Sequence, residues 1–170
     1  MRSTNVTKHK RRWGMRLAAM AGLAAAAALP ASAQAAAPAD CKGDLSGNSW
    51  LWVEVAGVRN ANGLMAITVY RDDSSRFLRS GGSEDVVRVP AQAGTTRACV
   101  KLPGDGVWAV AVYHDEDASR KLNRSGLGMP AEGFGFTNNP STVAGLPTFR
   151  SVRLKVSKPG LTTRINMRYP

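Results

Sequence analysis

From residue 49 onward apolar and polar positions alternate with a period of two, the spacing that sends successive side chains to opposite faces of a β-strand. Residues 50–58 (WLWVEVAGV) set Leu51, Val53 and Val55 against Trp50, Trp52 and Glu54. Asn60-Ala61-Asn62-Gly63 is turn chemistry that tolerates positive φ, and residues 64–70 then align Met65, Ile67 and Val69, completing a predicted hairpin. Residues 72–84, rich in Asp, Ser and Gly around Phe77 and Leu78, read as a loop or short helical turn, and residues 86–89 as a short strand stopped by Pro90. Residues 95–102 oppose Ala98, Val100 and Leu102 to Arg97, Cys99 and Lys101. Residues 107–113 (VWAVAVY) lose the polar alternation, as a central strand buried on both faces does. Residues 150–156 (RSVRLKV) and 162–169 alternate again, with Val152, Leu154 and Val156 in one row, Ile165, Met167 and Tyr169 in the other, and Lys158-Pro159-Gly160 as the turn between them. About seven short strands and no convincing helix predict an all-β domain, a single antiparallel β-sandwich of immunoglobulin-like character.

One segment breaks this rhythm. Residues 115–148 form a stretch far longer than the roughly 15 residues beyond which structureless loops become uncommon in compact domains. Phe134, Phe136 and Phe149 give it apolar anchors, so the expectation is one long ordered loop.

Residues 1–35 follow another grammar. A basic head (Lys8, Lys10, Arg11, Arg12, Arg16) precedes an apolar, alanine-rich run of about 13 residues and then small residues at Ala31, Ala33 and Ala35, the three-part pattern of a secretory signal peptide. The run is short of the roughly 20 residues a bilayer span needs, so no retained membrane span is expected. The domain reading is a signal peptide over 1–35, an N-terminal strap over 36–48 and a β-sandwich over 49–170, exported to the periplasm or the medium. The leader also reshapes the charge. Six of the 23 basic residues and none of the 12 acidic ones lie in it, which leaves 17 against 12, a net of +5 rather than +11. Without a cluster that would track a phosphate backbone, no nucleic-acid partner is expected. Cys41 and Cys99 both lie beyond the leader, and an exported chain meets an oxidising compartment, so a disulfide between them is predicted. Cys99 is in phase with the charged row, which places that bond on an outer face, strapping down the segment that carries Cys41.

The candidate chemistry gathers in the long segment. His114, the one histidine beyond the leader, continues the row Trp108, Val110, Val112 and should reach the end of a buried face. Its structural reading is a ring hydrogen-bonded at a strand end; its functional reading is a ligand or general base beside Asp115 and Asp117. Asp115-Glu116-Asp117-Ala118-Ser119 alternates acidic oxygens as a calcium loop begins, yet Arg120 stands where such a loop wants glycine and Lys121 follows it. Asp115 and Asp117 are therefore weak metal candidates, and no cofactor is expected, with calcium as the alternative. Gly133-Phe134-Gly135-Phe136 before Thr137-Asn138-Asn139-Pro140 reads first as a clasp, in which glycines let the backbone approach a surface while the rings reach inward, and second as an aromatic and amide platform for a glycan or peptide.

The segments LPGDGVWAVAVYHDEDASRKLN, GMPAEGFGFTNN and FRSVRLKV together resemble an exported bacterial family known only as domain of unknown function 2141, over about residues 50 to 169. The family's loop resembles His-Asp-x-Asn-x-Asn-Gly-Lys-Leu-Asp. Here His114, Asp115, Lys121 and Leu122 match it, as do Gly133, Phe134, Gly135, Phe136, Asn138 and Asn139 further on; Asp117, Ser119, Arg120 and Asn123 depart from it. The resemblance implies compartment and architecture and no chemistry. The LPGDGVWAVAV strand is also similar to those of prealbumin-like sandwich domains. The functional expectation is a non-enzymatic, envelope-associated binding or accessory module whose partner is an unknown envelope component, peptide or glycan, with His114, Asp115, Asp117, Lys121, Phe134, Phe136, Asn138 and Asn139 as candidate binding residues. The alternative is a metal-dependent, calcium-like or hydrolytic protein using His114, Asp115 and Asp117.

Overall fold

The structure is a computed structural model that describes residues 36–43, 46–126, 128, 130–142 and 145–170. The leader assigned to residues 1–35 lies outside the described residues. The alternating rows become strands: β1 (Ser49–Val58), β2 (Leu64–Arg71), β3 (Asp85–Pro90), β4 (Gly94–Leu102) and β5 (Gly106–Asp115). Three shorter strands, β6 (Phe134–Phe136), β7 (Leu154–Val156) and β8 (Leu161–Asn166), and one helical turn, α1 (Phe149–Val152), complete the described elements. A three-stranded sheet in the order β4-β1-β8 faces a five-stranded one in the order β3-β2-β5-β6, with β7 also on β5. The β-sandwich is thus observed, and its interior is built from the rows read in the sequence. Leu51, Val53 and Val55 of β1 meet Met65, Ile67 and Val69 of β2, Val100 and Leu102 of β4 and Trp108, Val110 and Val112 of β5. At about 25 cal/mol per Å² of apolar surface removed from water, these interlocking rows are the main force holding the sheets together.

Three expectations are corrected. Residues 150–156 are not one strand: Phe149–Val152 coils into α1 and only Leu154–Val156 pairs with β5. Alternation in RSVRLKV suits a strand, but Phe149 and Val152, three residues apart, lie on one side of a helical turn and are both buried. The sandwich is not wholly antiparallel either, because β8 runs parallel to β1, with Val53 opposite Thr163 and Val55 opposite Ile165. And the long segment 115–148 contains a strand of its own, β6.

β5 organises this half of the molecule. Its inward residues enter the sandwich interior, while Ala109 and Ala111 on its other face carry a second cluster of Tyr70, Phe77, Phe136, Phe149 and Val152. β5 is therefore buried on both faces, as its unbroken apolar run requires. One edge pairs with β2 from Trp108 to Asp115. The other is shared by two short strands, β7 opposite Gly106, Val107 and Trp108 and β6 opposite Ala111, Val112 and Tyr113. Between them sits Thr137, fully buried. Its hydroxyl accepts the Val110 N–H at 3.2 Å and donates to the Val152 carbonyl, while its own N–H reaches the Val110 carbonyl at 3.0 Å.

Both open sides of the sandwich are closed. On one, Phe134 and Arg168 exchange two backbone hydrogen bonds of 2.9 Å, linking β6 to the chain beyond β8. On the other, Lys42 forms a parallel bridge with Val100 on the edge of β4, and the Cys41–Cys99 disulfide fixes the strap there. Cys99 lies opposite Trp52 on the outer face, in phase with Arg97 and Lys101. The disulfide spans 58 positions of chain, so in the chain-entropy model it stabilises the fold by about 4 kcal/mol. A Cys41→Ser, Cys99→Ser double variant should lose about 2–5 kcal/mol in a urea melt; an unchanged midpoint would show that the strap contributes nothing.

Candidate functional site

The end of β5 carries the histidine and the first carboxylate, both fully buried. His114 Nε2 lies 2.8 Å from the Asn62 carbonyl, which can only accept, so this nitrogen carries a hydrogen. Nδ1 lies 2.9 Å from the Tyr169 hydroxyl, which in turn accepts the Arg59 N–H at 3.1 Å. The ring thus ties the β1–β2 turn to the C-terminal tail, and both its nitrogens are engaged. Beside it, the Arg59 guanidinium lies 4.6 Å from the Tyr169 ring centroid and makes a two-bond ion pair with Glu116, whose Oε1 also accepts Asn60 Nδ2 at 2.7 Å. The Arg59 hydrogen bond, against some desolvation, holds the Glu116 carboxyl at about 2, below its ordinary 4.5.

Asp115 points into the loop that follows. One of its oxygens accepts the Ser119 N–H at 2.9 Å and the other the Arg120 N–H at 2.8 Å. That wrap needs left-handed backbone, which Arg120 adopts at φ 63° and Ala118 at φ 54°. The sharp turn normally assigned to glycine is made here by arginine, at the steric cost non-glycine residues incur in that region. Asn123 continues the wrap: its Nδ2 donates to Asp117 at 2.8 Å and its N–H to Glu132 at 3.0 Å. Hydrogen bonds from Asn123 and Ser119 hold the exposed Asp117 at about 2. Glu132, only 5% exposed, is pushed the other way by desolvation and then by the charges of Asp115 and Asp117. Oxygens of Asp115, Asp117 and Glu132 lie within 4.8 Å of one another. No ion pair neutralises any of the three among the described residues.

β6 brings the loop back. Added Cβ atoms at Gly133 and Gly135 would fall 2.3 Å from the Tyr169 ring and 2.7 Å from Ile165 Cγ2, so both glycines are there for close approach. Asn138 and Asn139 adopt φ 64° and 50°, a region asparagine tolerates better than most residues. Asn138 donates to the Arg153 carbonyl at 2.8 Å. Asn139 imitates a strand partner on the edge of β8, donating to the Arg164 carbonyl at 3.0 Å and accepting the Asn166 N–H at 2.7 Å. The phenylalanines go outward from the sandwich: Phe136 and Phe134 join the cluster on the outer face of the five-stranded sheet, where Phe77 stacks edge-on against Phe136 and Phe149. There the sheet and the long segment leave a cleft of about 170 Å³, walled by Tyr70, Ala111, Tyr113, Leu122, Phe134 and Leu146. Leu146, 50% exposed, is the one large hydrophobic side chain exposed among the described residues.

The sequence profile of a family described as an uncharacterized protein conserved in bacteria, DUF2141, matches residues 53–164. The chain belongs to the DUF2141 family. No curated protein and no solved structure matches it. The matched span begins inside β1 and ends inside β8, so it takes in both sheets, the loop and the cleft of this DUF2141 domain.

Of the candidate residues, Asp115 and Asp117 come together, His114 packs against Tyr169, and Phe134 and Phe136 both wall the cleft, Phe136 from within the outer cluster. Lys121 is exposed, and its carbonyl accepts the Ser119 hydroxyl at 3.2 Å. Asn138 and Asn139 bind the chain's own backbone. Sequence reasoning passed over Glu132, Tyr169 and the Arg59–Glu116 pair. Glu132 is 17 positions from Asp115, beyond any local ligand spacing, though an acid preceding Gly-Phe-Gly-Phe could have been tested as a partner for the Asp loop. The Arg59–Glu116 pair supplies a pH prediction. Because Glu116 is depressed in the fold, its contribution is fully present above its ordinary value and lost as pH falls from about 4.5 toward 2. The stability difference between the wild type and Arg59→Met should therefore shrink across that window; a constant difference would contradict it.

Proposed function

We propose that this DUF2141 domain is an exported, non-enzymatic binding or accessory module of the cell envelope that holds a partner polypeptide by one apolar side chain seated in the outer cleft. The leader pattern and the disulfide support export, since such bonds persist in oxidising compartments. Among the described residues no helix is long and apolar enough to cross a membrane. The observation that carries the reading is the cleft itself. Its roughly 170 Å³ falls below the range of about 300–1,000 Å³ typical of small-molecule sites, and is close to the roughly 150 Å³ that accommodates a single benzene ring. One aromatic or branched aliphatic group fits, and the exposed Leu146 offers apolar contact at its mouth. N-Acetylphenylalanine amide, added to isotopically labelled protein, should shift the amide resonances of Ala111, Tyr113 and Phe134. Ala111→Phe, which fills the cleft from its floor, and Leu146→Ser should each weaken that response at least fivefold while the spectrum stays dispersed. Shifts confined to other regions, or none, would reject the reading.

One observation favours a second reading, a divalent cation of calcium type at Asp115, Asp117 and Glu132: three carboxylates within 4.8 Å, two of them buried, with no cationic side chain to neutralise them among the described residues. Oxygen donors of this kind suit hard cations. His114 has no part in it, and its buried, doubly engaged ring gives no support to a hydrolytic role. Glu132 is raised in the fold, so the stability it adds is present at low pH and lost as pH rises through its carboxyl range. In chelator, Glu132→Gln should accordingly raise the melting temperature at pH 7. In millimolar calcium the wild type should gain several degrees and Glu132→Gln should not; no gain by the wild type would dismiss the cation.

A further inference from the structure

The three-stranded sheet has an outer face of different character, remote from the cleft. Its side chains lie in register across the strands: Trp50 opposite Lys101, Trp52 between Cys99 and Thr162, and Glu54 between Arg97 and Arg164. Trp50 and Trp52 meet edge to face, centroids 6.0 Å apart and planes at 87°, forming an aromatic corner rather than a flat stack. Trp50 is held from behind by Gly160, where an added Cβ would fall 2.7 Å from the indole. The Arg97 guanidinium lies 4.2 Å from the Trp52 centroid and its Nε 3.7 Å from a Glu54 carboxylate oxygen, while its side chain stays 53% exposed, so it is ion-paired on one side and open to solvent on another. Between Trp52, Arg97 and the strap's Lys42 lies an open hollow of about 250 Å³, with Asp40 and Gln92 also in its wall. Over β1, β4, β8 and the described part of the strap, Lys42, Arg97, Lys101 and Arg164 stand against Asp40 and Glu54.

We propose that this face binds an acidic polysaccharide, with the Trp50–Trp52 corner receiving the apolar face of a sugar ring and Arg97, Lys101 and Lys42 pairing with the carboxylates of neighbouring uronic acid units. Indole rings present broad apolar surface with a polar handle, and guanidinium meets carboxylate in a two-bond fork. The cations surround the aromatic corner, which matches a chain whose every unit offers both a flat apolar face and an anion. Strand addition by a peptide is disfavoured, because the strap covers the β4 edge and Asn139 engages the β8 edge. A lipid surface is disfavoured too: Trp50 and Trp52 are half-buried, leaving ring surface for one flat ligand but no protruding apolar side chain to enter a bilayer, and the one exposed large hydrophobic side chain among the described residues, Leu146, borders the cleft on the five-stranded sheet. This inference stands apart from the cleft and from the carboxylate cluster, and fails or holds without them.

The test titrates the protein with alginate oligomers, using neutral dextran oligomers and anionic phosphatidylglycerol vesicles as the other arms, and follows tryptophan fluorescence and heat. Saturable binding to alginate is expected, with dextran at least tenfold weaker, and with affinity falling as salt rises, because exposed charges are screened. Trp52→Ala should weaken it at least tenfold. Arg97→Met, which keeps the aliphatic stem and leaves the fold intact, should weaken it at least fivefold and flatten the salt dependence. No saturable alginate binding, equal binding of dextran, binding to vesicles alone, or an Arg97→Met variant with wild-type affinity would each overturn the proposal.

Discussion

The second edge of β5 is the constraint on which the rest of the structure depends. A strand buried on both faces cannot leave backbone N–H and C=O groups unpaired, since each would cost about 1–3 kcal/mol away from water. β2 satisfies one edge of β5, but the other has no long partner. The chain solves this with two three-residue strands separated by 17 positions and a threonine that spans the interval between them. Thr137 is in effect a piece of β-ladder made from a side chain, joining β6, β5 and the end of α1 at one buried oxygen.

The position of every candidate site follows. Because β6 must return to β5, residues 116–133 are forced into a closed excursion, and that closure brings Glu132 back to Asp115 and Asp117. Because α1 must deliver β7 to the same edge, Phe149 and Val152 arrive on the outer face beside Phe77 and Phe136, building a second cluster where most sandwich sheets meet water. The cleft is the space the long segment leaves as it crosses that cluster. The opposite sheet carries no such burden. Its outer face sets two half-buried tryptophans among four cations, which is why two surfaces of one small domain offer unlike chemistry.

Much of this was legible in the sequence. The inward rows of β1, β2, β4 and β5 could be read by period alone, and the apolar run of 107–113 announced a doubly covered strand. The disulfide was expected from the leader pattern and the count of cysteines. Less accessible was anything decided by pairing at a distance. RSVRLKV alternates like a strand, yet its first half is drawn into a turn by an outer cluster that no local pattern reveals. The parallel partnership of β8 with β1 leaves no trace in either segment. At Arg120 the rule that a tight acidic loop needs glycine was overridden by two backbone hydrogen bonds to Asp115. His114 could be placed by phase at the end of a buried row, but Tyr169, the hydroxyl it meets, lies 55 residues away in the C-terminal tail.

The most direct test of this account is hydrogen exchange at the Val110 amide, which has only a side-chain oxygen as partner. In the wild type it should exchange as slowly as its neighbours in the centre of β5. In Thr137→Val, nearly identical in shape, global stability should fall by about 1–3 kcal/mol. Exchange at Val110 and through β6 and β7 should then accelerate beyond that loss, while β1 and β4 follow only the global change. If Val110 in the variant stayed as protected as the centre of β4, the threonine would not be what closes the strand's second edge.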